Sequence, residues 1–466
     1  MSEISPQQLN SKCLKENLTI SLQIIQKYRW LIDTYVLDFY VENHWSKLPK
    51  SWQNHLEPLD PHELANILSG NNEATSVRPL SILCLMSLMK KLCISRDVVE
   101  CNTNLGQTTA KQFILEHPKL KNLFTKCVKP KKRHEIALMA NVCSQSVVDN
   151  CVDFVVDFGA GLGHLARVLG YAYGVQVCCL EMQDSLNDQA RVIDSQFEVI
   201  ASKFLSLEQR QHFRRPVHVA MKLTSSLSPE EFVNQIANAL GMSENCPFSF
   251  GIIGLHPCGD LGAILIQMFL NCKQAKFLNF VGCCYMKLST GTTNPGYPLS
   301  DFLKNEIKTS SILSYESREI ACHAAEVYCD RLSNELYEDL KVHSFRATIE
   351  KIFVKYWPEL KHSGLRSVKH SKGMSFDDYV KRATNGLNIN VPVEDIHSET
   401  TQNDLSQWKR IVIFYTMRLL FAPLVETVVL YDRILYLKEK GLSVSIAAIF
   451  DPRLSPRNHI TRATKQ

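Results

Sequence analysis

The sequence predicts an α/β fold of Rossmann-like type, with a helical N-terminal domain in front and a largely helical insertion before the last two strands. Three observations predict it. From about Lys119, short β-rich runs alternate with amphipathic stretches, the rhythm of a parallel sheet covered by helices. A glycine-rich turn follows the first of these runs, and the chain closes on two further β-rich runs joined by a Pro-containing turn.

The elements follow in order. Residues 1–118 repeat apolar positions at helical spacing, as in Leu22, Ile25, Tyr28, Ile32, Tyr35 and Phe39, and breaks fall near Pro49, Pro58 and Pro61. The aromatic stripe Tyr28, Trp30, Tyr35, Phe39, Tyr40, Trp45 and Trp52 reads as core packing rather than as a platform for bases. Strands are expected at Cys151–Phe158, Val175–Leu180, Val217–Leu223, Phe248–Leu255 and Phe277–Gly282, which places a core domain at 119–300. Residues 301–405 break the rhythm with helical pieces and polar linkers such as Ser371-Lys372-Gly373. In 406–466, Ile411–Lys440 reads as one long apolar helix, followed by a hairpin of Ser443–Phe450 and Asn458–Lys465 that returns to the sheet.

Composition narrows the class. A chain of 466 residues, 45% hydrophobic and 21% charged, supports a sizeable core, and a net charge of +5 is too mild for a polycation that coats nucleic acid. Its sixteen cysteines are scattered, and Met1–Pro6 opens without a signal-peptide pattern, so reduced thiols in a cytoplasmic or nuclear compartment are expected. The stretch Ile411–Leu437 is apolar enough to imitate a membrane span. Arg418, Pro423, Glu426, Asp432 and Arg433 interrupt it, so it reads as a buried helix and no transmembrane anchoring is expected.

The strand Val155-Val156-Asp157-Phe158 runs into Gly159-x-Gly161-x-Gly163 and then into the helical Leu165–Tyr173. Glycines there permit positive φ and let backbone amides approach a ligand. An acid at the head of the turn suits a ligand with a sulfonium and an ammonium group, whereas a pyrophosphate binder avoids that charge. Asp157, Gly159, Gly161 and Gly163 therefore point to S-adenosylmethionine over a nicotinamide dinucleotide. Glu181, at the end of the second strand, is positioned to accept ribose hydroxyls.

The ends of the fourth and fifth strands should face the acceptor. They carry His256, Cys258 and Asp260, then Cys283, Cys284, Tyr285 and Lys287. His256 or Asp260 is the candidate general base, Tyr285 the candidate for stacking or orienting the acceptor, and Lys287 a further catalytic candidate. Asp260 is equally placed to cap a helix beginning near Leu261. His256, Cys258, Cys283 and Cys284, with Cys322 and His323, offer zinc-ligand chemistry, but no Cys-x-x-Cys pair occurs, and metal-free buried thiols are the expectation. The Asn/Asp-Pro-Pro-Tyr/Phe signature of amino-methylating enzymes is missing here. Upstream, the basic run Lys126, Lys129, Lys131, Lys132 and Arg133 reads as a solvated turn, and Lys132, His134 and Glu135 are candidates to help hold the methionine end of the cofactor.

As a set, Pro130–Glu135, Asp157–Leu165, Gly254–Leu261, Gly282–Ser289, Gly296–Ser300, Ala422–Glu426 and Leu454–Asn458 resemble the methyltransferase-like protein 25 family. The Ser455-Pro456-Arg457-Asn458 ending favours its ribosomal RNA adenine dimethylase domain-containing branch. The resemblance implies a class I methyltransferase that uses S-adenosylmethionine. The His-x-Cys-Gly and Cys-Cys blocks are more distantly similar to those of a tRNA 2′-O-methyltransferase family, which raises RNA, beside protein, as the acceptor. The alternatives are a catalytically inactive interaction module on the same fold and, last, a nicotinamide oxidoreductase.

Overall fold

The computed structural model describes residues 10–71, 76–98, 117–125, 128–224, 226–242, 247–291, 294–334, 337–369 and 371–465. Lys126, from the basic run, and the opening Met1–Pro6 lie outside them. Contacts divide the chain into two units, one comprising Met1–Leu22, Ile94–Ile312 and Val428–Gln466, the other Gln23–Cys93 and Leu313–Thr427. The units cut across the chain-order boundaries at 118, 300 and 405, since most of the N-terminal helices and most of the insertion share one unit.

The first unit holds a seven-stranded sheet in the order β3-β2-β1-β4-β5-β7-β6. Its strands are β1 (Phe154–Phe158), β2 (Val177–Glu181), β3 (Val217–Ala220), β4 (Phe250–Leu255), β5 (Ala275–Val281), β6 (Ser443–Ala448) and β7 (His459–Thr464). The first five run parallel, and β7 is antiparallel to β5 and to β6. This is the class I methyltransferase sheet, closed by the expected hairpin. All five residues of β1 are buried, which is why its sequence is a continuous apolar run broken only by Asp157.

Helices cover the sheet through narrow apolar faces. Pro130–Asn150 contributes Ile136, Met139, Ala140 and Cys143, and His164–Tyr173 contributes Leu165, Ala166, Leu169 and Ala172 to a core shared with Val155, Val177, Ile253 and Val281. The first expected strand begins three residues late, because Cys151 ends the preceding helix with a left-handed φ of 49°. The long C-terminal helix is two helices, Trp408–Leu419 and Ala422–Glu439. Pro423 accounts for the break: it has no N–H to give to the preceding turn, and it is tolerated in the first turn of the next helix. The segment Trp408–Glu439 is long and apolar enough to cross a membrane, yet 94% of its most apolar window is buried in the protein.

The described residues of the second unit contain helices and no strand. One of its cores gathers Ile349, Phe353, Tyr379, Val380 and Ala383. The aromatic stripe packs inside this unit as expected, with Trp52 and Phe39 buried and Tyr28 stacked on Trp52 at 6.2 Å.

Candidate cofactor and acceptor site

β1 ends at a turn clamped to its neighbour, since the Gly159 and Ala160 amides both donate to Leu180 O, at 2.9 and 3.2 Å. The loop glycines all have positive φ, but for different reasons. A Cβ on Gly163 would lie 2.7 Å from the His218 ring, so this glycine makes room for packing. At Gly161 a Cβ would meet nothing within 4 Å, so its surface is open to a ligand.

Beneath the turn lies a buried charge network that the sequence reading missed. Arg167 Nε donates to Asp194 Oδ1 at 2.6 Å, and His218 Nε2 lies 2.7 Å from the other carboxylate oxygen. The same guanidinium donates to Leu162 O at 3.0 Å and to His164 Nδ1 at 3.2 Å. Burial and the charges of Arg167 and Lys132 push His164 down to about 4, so its neutral ring is able to accept that bond. The available signal was Arg167 itself, an arginine amid the apolar positions of Leu165–Tyr173, where burial demands a partner.

Asp157 is only 3% exposed, and no described residue hydrogen-bonds its carboxylate. Burial alone raises its pKa to about 7. A buried acid without a partner, at the head of an open glycine turn, fits a cationic ligand that would supply the missing charge. Glu181 meets the same turn: its Oε2 accepts from Gly161 N at 3.2 Å and its Oε1 from Gln183 N at 3.1 Å. The structure thus joins Gly161 to Glu181, and Asp157 lies in the strand that leads into the same turn. His134 is engaged elsewhere, its Nε2 accepting from Asp451 N at 2.9 Å in the β6–β7 turn.

At the other edge, His256 takes a φ of 69° just beyond β4, and its Nε2 lies 2.9 Å from Glu135 Oε2. Glu135 is fully buried and also accepts from the Ser455 hydroxyl at 2.5 Å. Its burial would raise the carboxyl, but the bonds to His256 and Ser455 and the charge of Lys131 outweigh this and hold it below its ordinary value. Asp260 precedes the helix Leu261–Asn271 but makes no side-chain cap; its Oδ1 accepts from Ser289 N at 2.8 Å instead. Tyr285 is buried, with the Arg433 guanidinium 5.9 Å from its ring centre, and Lys287 is exposed.

Three thiols share this edge. Cys258 Sγ lies 3.0 Å from Cys283 Sγ, which lies 3.5 Å from Cys284 Sγ. The contact with Cys283 leads several influences that pull Cys258 down to about 5, while Cys283 is raised because it keeps the proton its partner gives up. Cys322 and His323 belong to the second unit, where His323 is held by Tyr415 at 2.6 Å and Glu319 at 2.5 Å.

A methyltransferase-domain family model matches residues 131–291, the stretch from the helix before β1 through the β5 loop. Probable methyltransferase-like protein 25 of Mus musculus is 28% identical over 258 residues, covering 52% of this chain and 41% of that protein. Over that stretch the chain is similar to probable methyltransferase-like protein 25. The Homo sapiens protein of the same name is 28% identical over 257 residues, covering 52% of this chain and 40% of its own. The match therefore spans about two-fifths of these relatives' length. The plantazolicin methyltransferase BpumL in complex with SAH aligns over 70% of this chain and 94% of its own at 10% identity, with a TM-score of 0.22. The methyltransferase-domain match and the sheet order together establish a class I methyltransferase domain.

Proposed function

We propose that the chain is an S-adenosylmethionine-dependent methyltransferase whose acceptor is RNA or protein, working in the cytoplasm or nucleus. The observation that carries the reading is Asp157, a buried carboxylate with no described hydrogen-bond partner at the head of the open glycine turn. S-adenosylmethionine supplies an electrophilic methyl group on a sulfonium when bound. Asp157 answers the positive charge of such a ligand, and Glu181 exchanges its backbone amide contacts for ribose hydroxyls. At the acceptor edge, Glu135 holds the proton of His256 on Nε2, which leaves Nδ1 as the unprotonated nitrogen that takes a proton from an acceptor. Lys287, exposed beside it, meets the acceptor's charge.

A second reading, an inactive interaction module, is favoured by one specific observation. Asp260 and Tyr285, two of the four residues expected to do chemistry, are committed to the fold by a backbone bond and by burial. Calorimetric titration with S-adenosylmethionine should give saturable binding that weakens in D157N and E181A. Tritiated donor should then label an RNA or a protein fraction from cells lacking the protein, and H256A should lose the label while still binding donor. Donor binding with no labelled fraction supports the interaction module, and no binding refutes the methyltransferase reading.

A further inference from the structure

The thiols at the ends of β4 and β5 have no part in the reading above. The sulfur atoms of Cys258, Cys283 and Cys284 all lie within 4.8 Å of one another. The backbone builds this convergence. β4 and β5 are paired through Leu255 and Val281, so both chains leave the sheet side by side. Positive φ at His256 and Gly259 then turns the first chain back, and a Cβ on Gly259 would lie 2.8 Å from Lys287 O, in the loop carrying the other two thiols.

Arg433 supplies a second, independent observation. It is 2% exposed, and neither its Nε nor its Nη1 has a hydrogen-bond partner. The neighbouring Asp432 acts on it through space only, because that carboxylate accepts its hydrogen bonds from Leu299 N, Ser300 N and the Ser300 hydroxyl. The guanidinium instead presses on Gly282, where a Cβ would lie 2.5 Å from Nη1, immediately before Cys283. Burial lowers the Arg433 pKa in spite of the opposing influence of Tyr285, Asp432, Cys283 and Asp260, so a further negative charge on the Cys283 side would stabilise the cation. A divalent cation held by three thiolates carries one net negative charge.

We propose that Cys258, Cys283 and Cys284 form a binding site for a thiophilic divalent cation, zinc above all, balanced by Arg433. His256 is left out of the ligand set because its Nε2 is bound to Glu135. Zinc about 2.3 Å from each sulfur in a tetrahedron sets the sulfurs roughly 3.8 Å apart, so the cluster adapts by roughly 1 Å or less. Soft thiolates select zinc over magnesium or calcium. As each metal–sulfur bond forms, the proton of that thiol passes to solvent. Three protein ligands leave the fourth position to water or an acceptor atom on the side where Cys258 is exposed.

The test is cobalt titration of the full-length chain, reduced and stripped by chelator. One equivalent of cobalt should develop a thiolate-to-cobalt charge-transfer band with the visible absorption of a tetrahedral ion, and one equivalent of zinc should bleach it. C258S should weaken cobalt binding by about tenfold or more, whereas C151S, at an exposed cysteine outside the cluster, should leave it unchanged. Cys258 is exposed, so C258S leaves the core intact; C283S and C284S extend the test, with circular dichroism reporting folding. No band, an unchanged band in C258S, or a metal-free Cys258–Cys283 disulfide two hydrogens lighter by mass would overturn the proposal. The readout needs no methyl donor, so failure here and failure of donor binding are separate results.

Discussion

The two edges of the candidate site are built differently. At the donor edge the groups facing the ligand are unsatisfied or loosely satisfied: Asp157 has no described partner, Gly161 faces open space, and Glu181 rests on two backbone amides. At the acceptor edge most polar groups are already committed, Asp260 to Ser289, His256 to Glu135, and Glu135 to Ser455. A site that leaves polar groups unpaired reserves them for a ligand, whereas one that pairs them is preorganised or structural. The donor edge is therefore set to gain most from binding, and the acceptor edge to move least.

The largest effect should come from removing what the donor edge stands on. D194A strands the buried Arg167 charge and should cost about 3–5 kcal/mol of stability, read as a fall in urea midpoint; an unchanged midpoint would show that the loop does not rest on this network. Next, E181A should lower donor affinity by about 1.5–3 kcal/mol, or roughly 10- to 150-fold, with little change in stability. Equal losses of both would make Glu181 a fold residue and erase the contrast between the edges. At the acceptor edge D260A should cost about 1 kcal/mol of stability and leave donor affinity intact. Should donor affinity fall instead, the edges are coupled.

The finest test is pH. Asp157 titrates near 7 when folded against an ordinary 3.8, so the folded state holds its proton longer than the unfolded chain. Its contribution to ligand-free stability is complete below about pH 4 and is lost as pH rises through about 7. A bound cation favours the ionised acid, so donor-induced stabilisation in thermal melts should grow across that window. D157N should flatten both trends, and the same slope in D157N would assign the titration to another group.

The donor edge was the legible one. Its chemistry depends on a turn whose residues are adjacent in the chain, and Glu181 ends the next strand, so local spacing carried the information. The Arg167–Asp194–His218 network was not legible, because it joins a helix, another helix and β3, and nothing in Asp194's own surroundings marks it. At the acceptor edge the residue types were foreseen but their duties were not. Asp260 sits where a cap belongs, and only the approach of the β5 loop decides that Ser289 takes its carboxylate.

By itself, the sequence determined the parallel sheet, the closing hairpin, the glycine turn and its two acids, since hydrophobic period and glycine placement act over a few residues. Tertiary structure alone decided which polar groups remain free for a ligand. Partnership is settled by segments far apart in the chain: His256 meets Glu135, Arg433 Nε and Nη1 go without a hydrogen-bond partner, and three thiols from two loops come to lie within 4.8 Å of one another.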